Sequence, residues 1–232
     1  LPDMLIKTGY KFGGWWTGEN GAGIEITSET IVKTATIHTL YAKWNKLFDG
    51  DGTHSNPYII ASAAQLYEFA FQINNGEKYL DVYFVLNTNI DLNNIQWIPI
   101  GKGHNFGNNG SSFDGVFDGR GHTIKNFKIT GVYSYAGLFG DNKGTIQNLG
   151  VENFEIAVTT AYGHHVYAGG LVGRNDSNGI ITNCYATGKV SATSDYKYGS
   201  AYVGGLIGYN QGEARNCYAA CDVEASYTLT YS

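Results

Sequence analysis

Apolar residues along most of this chain come in short bursts rather than long runs. Ile124, Phe127 and Ile129, then Leu138 and Phe139, are bounded by Gly, Asn and Asp. That pattern predicts short strands joined by sharp turns. One segment differs: Leu66, Phe69, Ala70 and Ile73 fall at i, i+3, i+4 and i+7, behind the capping-box pattern Ser62-Ala-Ala-Gln65. They predict one amphipathic helix, ending near Asn74-Asn75-Gly76. Tyr83 to Leu92 predicts a long strand or two short ones with a bend, and 102–112, rich in Gly and Asn, predicts a loop.

The bursts repeat. Gly121-His-Thr-Ile-Lys-Asn126-Phe127, Gly144-Thr-Ile-Gln-Asn148-Leu149, Gly179-Ile-Ile-Thr-Asn183-Cys184 and Gly212-Glu-Ala-Arg-Asn216-Cys217 are near-copies. The last three each follow a Gly-Leu-x-Gly box, at Gly137, Gly170 and Gly205. A chain that repeats in this way stacks one unit on the next, which predicts a parallel β-solenoid. Asn126, Asn148, Asn183 and Asn216 are 22, 35 and 33 positions apart. The first interval reads as one coil, the others as a coil carrying an insertion, at 157–167 and 191–202. Each Asn precedes an inward residue where the chain must turn, and Asn tolerates the left-handed region. Stacked amides could then form a ladder. The pairs Gly169-Gly170 and Gly204-Gly205 predict positive φ or close backbone approach at a corner. A helix ahead of such a stack can cover its open end.

The 232 residues include 32 Gly and 18 Tyr but only 3 Pro, in keeping with an all-β chain of many tight turns. Charged residues make up 15%, and the net charge of −5 lacks the clustered Lys and Arg of a nucleic-acid footprint. No apolar run approaches the roughly 18 residues of a membrane span, and a monomer is expected. The chain starts at Leu1 and stops at Ser232 inside a β-like run, which suggests a piece of a longer polypeptide. Cys184 and Cys217 hold equivalent places in successive repeats, so a stack of buried thiols and a disulfide both remain open. Cys221 is expected at a turn.

No catalytic constellation is legible. His-Glu-x-x-His and Gly-x-Ser-x-Gly are absent. His164 and His165 would point to opposite faces of a strand. Asp114 and Asp118 read as turn formers, and Arg120, Arg174 and Arg215 lie near different turns. Asp49-x-Asp51-x-Thr53 hints at calcium but lacks the rest of an EF-hand loop and reads as a linker turn. No catalytic residue, metal ligand or cofactor is therefore assigned. The candidate ligand-binding residues are tyrosines ahead of the Gly-Leu-x-Gly boxes: Tyr133, Tyr135, Tyr162, Tyr167, Tyr198 and Tyr202. Adjacent coils would align them, and aligned aromatics suit sugar stacking or protein contact. Alternatively, they pack on each other and on the solenoid wall.

Two resemblances sharpen this picture. The opening Gly9-Tyr10-x-Phe12-x-Gly14-Trp15 and the close Leu40-Tyr41-Ala42-Lys43-Trp44 resemble the internalin B-repeat, which implies a small β-grasp-like module over 1–46. Gly170-Leu-Val-Gly173 with Asn183-Cys-Tyr-Ala-Thr-Gly188, and Gly205-Leu-Ile-Gly208 with Asn216-Cys-Tyr-Ala219, look like the GLUG motif. For 47–232 this implies a right-handed parallel β-helix. It further implies a non-catalytic region of a secreted or cell-surface bacterial protein, acting in adhesion or as a stalk. The expected partner is a host or microbial surface glycan or protein. The alternatives are a lyase or hydrolase on a β-helix, or an accessory region of a surface zinc peptidase.

Overall fold

The structure, a computed structural model, describes residues 5, 7–31, 33, 36–103, 110–160, 165–194 and 199–227. The chain opens with a three-stranded antiparallel sheet. β1 (Tyr10–Trp16) lies between β2 (Glu25–Ile26) and β3 (Tyr41–Lys46). Phe12 packs edge-on against Trp15 and Trp44, with ring centroids 5.6 and 5.7 Å away. The aromatic residues that open and close this segment thus form its packed face.

β4 (Tyr58–Ile60) and α1 (Ala63–Asn74) follow, then β5 (Tyr83–Leu86), β6 (Ile90–Gln96), β7 (Val116–Asp118) and β8 (Thr123–Val132). From there each coil has four strands. The first set is β9 (Tyr135–Ala136), β10 (Phe139–Asn142), β11 (Thr145–Gln147) and β12 (Gly150–Thr159). The second is β13 (Val166–Gly169), β14 (Val172–Asn175), β15 (Ile180–Thr182) and β16 (Tyr185–Ser194). The third is β17 (Ala201–Gly204), β18 (Ile207–Asn210), β19 (Glu213–Arg215) and β20 (Tyr218–Tyr227). Like strands stack on like in four parallel sheets: β4-β5-β7-β11-β15-β19, β6-β8-β12-β16-β20, β9-β13-β17 and β10-β14-β18. This is the parallel β-solenoid that the repeats predict.

Inward side chains stack in register. Phe84, Phe117, Ile146 and Ile181 form one fully buried column. Ile124, Val151 and Ala186 form another. The leucines of the three Gly-Leu-x-Gly boxes, Leu138, Leu171 and Leu206, are buried as well.

The helix forms where its pattern predicts. Ser62 accepts the Gln65 N–H, and Leu66, Phe69, Ala70 and Ile73 are all buried. Its apolar face closes the first end of the stack: the Phe69 ring lies 4.5 Å from Phe84 and 5.7 Å from Phe117. Asn74 donates to the Pro99 carbonyl and accepts the Gly101 and Lys102 N–H groups, tying the helix to the next loop. The N-terminal sheet rests on the same helix through Gln72 Nε2 to Tyr10 O and a Lys11–Glu68 ion pair.

The register corrects three expectations. The 22-residue interval is not a coil. Thr123, Gly150, Tyr185 and Tyr218 are the true equivalents, at intervals of 27, 35 and 33. The insertions are shorter than their composition suggests, because 157–159 extend β12 and 191–194 extend β16. Cys221 sits within β20 opposite Gly188, not at a turn. All three cysteines are free, and burial pushes the Cys184 thiol up to about 12, leaving it an inert packing group.

Candidate functional site

Outward side chains repeat as faithfully as inward ones, and coil stacking turns them into ladders. Asn148, Asn183 and Asn216 are all left-handed, with φ of 52°, 53° and 51°. Asn216 donates to Asn183 (3.3 Å), Asn183 to Asn148 (3.0 Å) and Asn148 to the Asp118 carboxylate (3.0 Å). Asn126 is left-handed too but stands outside this series. It lies on a bulge inside β8, receives Asn153 from the next coil and donates to Asp91 at 2.8 Å. The sequence spacing misplaced it because a second Asn turn recurs one strand further on.

Asp118 ends its ladder. Burial opposes its ionisation, but donors from Asn148, the Arg120 N–H and Gln147 outweigh that and hold its carboxyl below the ordinary 3.8. A depressed folded value stabilises the fold above the unfolded value, and the gain is lost as pH falls through the folded one. Asp118→Asn is therefore expected to lose less stability than the parent between about pH 7 and about pH 2.5 in urea unfolding. Equal losses would remove Asp118 from the acid response.

A second amide ladder runs inside the wall, and the sequence reading missed it. Asn142 donates to Asn175 and Asn175 to Asn210, each at 2.8 Å, and Asn142 and Asn175 also hold the Gly144 and Gly179 carbonyls. Asn142 and Asn175 are fully buried. The signal was present: each Gly-Leu-x-Gly box has Asn two residues after its last Gly. Gly170 and Gly205 are needed for close approach rather than positive φ. A Cβ on Gly170 would enter the Phe154 ring and meet the Gly205 carbonyl at 2.7 Å, and one on Gly205 would meet Ala219 Cβ at 2.8 Å.

Of the candidate tyrosines, Tyr135, Tyr167 and Tyr202 come together. They stand in register on β9, β13 and β17 with rings stacked 5.5 and 5.1 Å apart, at 14° and 24°. Tyr209 packs 4.9 Å from Tyr167, and the Arg174 guanidinium lies 5.9 Å from the Tyr135 ring. Burial raises the Tyr135 and Tyr167 phenols. Stacked faces cover one another, so the wall offers ring edges rather than open faces. Tyr202 is the most open of the three, 40% exposed. Tyr133 packs on the core instead, and Tyr162 and Tyr198 lie outside the described residues.

One groove, of about 380 Å³, follows the outside of the long-strand sheet beside the β8 and β12 bulges. Lys128, Glu155, Lys189 and Asp222 stand opposite one another on four successive strands, an alternating row of charge. Lys128–Glu155 closes at 3.0 Å and Lys189–Asp222 at 3.9 Å. The two acids are exposed, each has a lysine partner, and they stand two strand spacings apart, about 9.6 Å. Neither acid is buried in the way that suits a group protonating a leaving group. At the linker turn, the Asp51 carboxylate accepts the Thr53 N–H and hydroxyl.

A stacked parallel β-wall with a Gly-Leu-x-Gly box at one corner of each four-stranded coil defines the class. Two stretches, 164–191 and 199–224, match the family model of the GLUG motif, and 1–43 match that of the Listeria-Bacteroides repeat domain. The chain is a GLUG-motif solenoid preceded by a Listeria-Bacteroides repeat module. It is 28% identical, over 80% of its length, to halomucin of Haloquadratum walsbyi, and 33% identical, over 58%, to a candidate Gly-rich membrane protein of Evansella cellulosilytica. It spans only 2% and 15% of those two relatives. The crystal structure of a candidate immunoglobulin A1 protease from Bacteroides ovatus superposes with a TM-score of 0.52 at 25% identity, covering 79% of this chain and 70% of that one.

Proposed function

We propose that this chain is a non-catalytic region of a secreted or cell-surface protein, presenting the walls of its solenoid to a surface glycan or protein. The observation that carries this reading is how the outward polar residues are used. Asn, Tyr and paired charges are engaged from coil to coil, as suits a rigid wall that keeps its shape against a bound partner. The names of the two relatives, halomucin and a Gly-rich membrane protein, support the location. Among the described residues no helix is long and apolar enough to cross a membrane.

An accessory role beside a peptidase is the second reading, favoured by the likeness to the Bacteroides ovatus structure. The test is to immobilise mucin-type glycoproteins and acidic polysaccharides and to incubate the same preparations with the chain. Saturable retention with no new reducing ends and no cleaved glycoprotein is expected. Depolymerised glycan would overturn the non-catalytic reading in favour of a lyase or hydrolase.

A further inference from the structure

We propose that a cleft on the outside of the six-stranded sheet, between His54, Tyr83 and Arg120, binds a carboxylate-bearing sugar unit. This deepens the adhesive reading and rests on it. The cleft measures about 440 Å³ and is also lined by Asp118, Thr145 and Gln147. That volume falls within the usual range of small-molecule sites.

The cleft is built by a local departure from the repeat. Asp118, Gln147, Thr182 and Arg215 are register equivalents, and so are Thr123, Gly150, Tyr185 and Tyr218. Three later coils join these positions in three steps. The Asp118 coil takes five, and the two extra residues let Arg120 project at the corner. Solenoid closure does not require them, because the later coils turn without them.

Arg120 itself is out of place conformationally. It is left-handed, with φ of 50°, and every other non-glycine residue at positive φ among the described residues is Asn or Asp. An Arg gains nothing locally from that region, and strain of this kind marks positions held for another purpose. The Asp118 carboxylate fixes the turn by accepting the Arg120 N–H at 2.8 Å. The same carboxylate takes the side-chain amides of Asn148 and Gln147, each at 3.0 Å. No acid lies within ion-pair distance of the Arg120 guanidinium among the described residues.

The opposite wall is aromatic. His54 meets the Tyr83 ring edge-on at 5.1 Å, and the Tyr83 N–H is pinned to Gly52 O at 2.9 Å. The Tyr83 and Thr145 hydroxyls have no protein partner among the described residues. Such a cleft offers a guanidinium fork that feels the Asp118 charge but closes no ion pair with it, an aromatic wall and uncommitted hydroxyls. The fork fits a carboxylate in two-point geometry. The wall fits the apolar side of a sugar ring, and the hydroxyls fit its own hydroxyls. Uronic and sialic acids are two common classes of sugar that carry such a carboxylate.

The test titrates the chain with trigalacturonate, 3′-sialyllactose and the neutral maltotriose, followed by calorimetry and by amide chemical shifts. At least one acidic sugar is expected to bind and maltotriose is not, and which acid binds identifies the source. Arg120→Gly places glycine where the backbone is left-handed. It should keep or raise the thermal midpoint while weakening acidic-sugar binding about tenfold or more. Binding of neither acid, equal binding by the variant, or maltotriose binding as tight as the acids would each overturn the proposal. If the chain still adheres to glycoprotein and Arg120→Gly adheres equally, the cleft assignment fails while the adhesive reading stands.

Discussion

Phe69→Asp leaves no soluble folded protein, while Phe71→Asp on the same helix is nearly silent. Phe69 is 0% exposed and its ring meets Phe84, Phe113, Phe117 and Tyr79 within 6.0 Å. Removing such a ring costs about 3–5 kcal/mol. A carboxylate set among apolar rings adds several more, about 2–7 kcal/mol for a polar group that finds no hydrogen bond and more for a charge. A domain of ordinary stability has about 5–15 kcal/mol to lose. The consequence goes beyond unfolding, since α1 shields the first end of the stack, and an uncovered β-wall is a template for association. Phe71 is 55% exposed on the opposite side of the helix, so the same substitution there disturbs little. Soluble yield and the far-ultraviolet β-signal read the result. A soluble, folded Phe69→Asp protein would sink the end-cap role.

That helix was legible because four apolar positions at helical spacing and one cap carry the whole signal. The coils were legible from the Gly-Leu-x-Gly boxes for a similar reason. A Cβ on Gly137, Gly170 or Gly208 collides with backbone of the neighbouring coil, so the box is a direct imprint of stacking. What failed was register in the first coil. Gly144-Thr-Ile looks like Gly121-His-Thr-Ile, yet Thr145 pairs with Val116 and Ile146 with Phe117. Two different left-handed Asn positions, at the corner and at the bulge, produce the same short word. Only pairing separates them. Tyr135, Tyr167 and Tyr202 align between coils, but whether aligned rings expose faces or stack on one another depends on ring tilt, which spacing does not encode. Arg120 and Tyr83 are 37 positions apart in the sequence and meet only when β5 and β7 lie side by side, so no local pattern announces the cleft.

The ladders differ in what they contribute, and one substitution made twice separates them. Asn175→Asp is expected to destabilise the fold by about 3–5 kcal/mol, the scale of an uncompensated buried charge. Asn175 is fully buried, and its amide holds both the Gly179 carbonyl at 3.1 Å and the Asn210 side chain at 2.8 Å. A carboxylate removes both donors and sets negative oxygens against two acceptors. Asn183→Asp breaks the equivalent rung of the exposed ladder, the 3.0 Å bond to Asn148. Asp tolerates the left-handed backbone there, and water solvates the charge, so a loss of about 1 kcal/mol or less is expected. Urea midpoints at neutral pH compare the two. Acid gives a second signature with a definite sign. Burial raises the folded pKa of an Asp at 175, so the deficit is largest above the ordinary carboxylate range and shrinks as the group protonates and regains one donor. The Asn175→Asp deficit should therefore narrow on going from about pH 7 to about pH 4, with no comparable recovery for Asn183→Asp. Equal deficits in the two variants would mean that the buried amides hold the coils together no more than the exposed ones do.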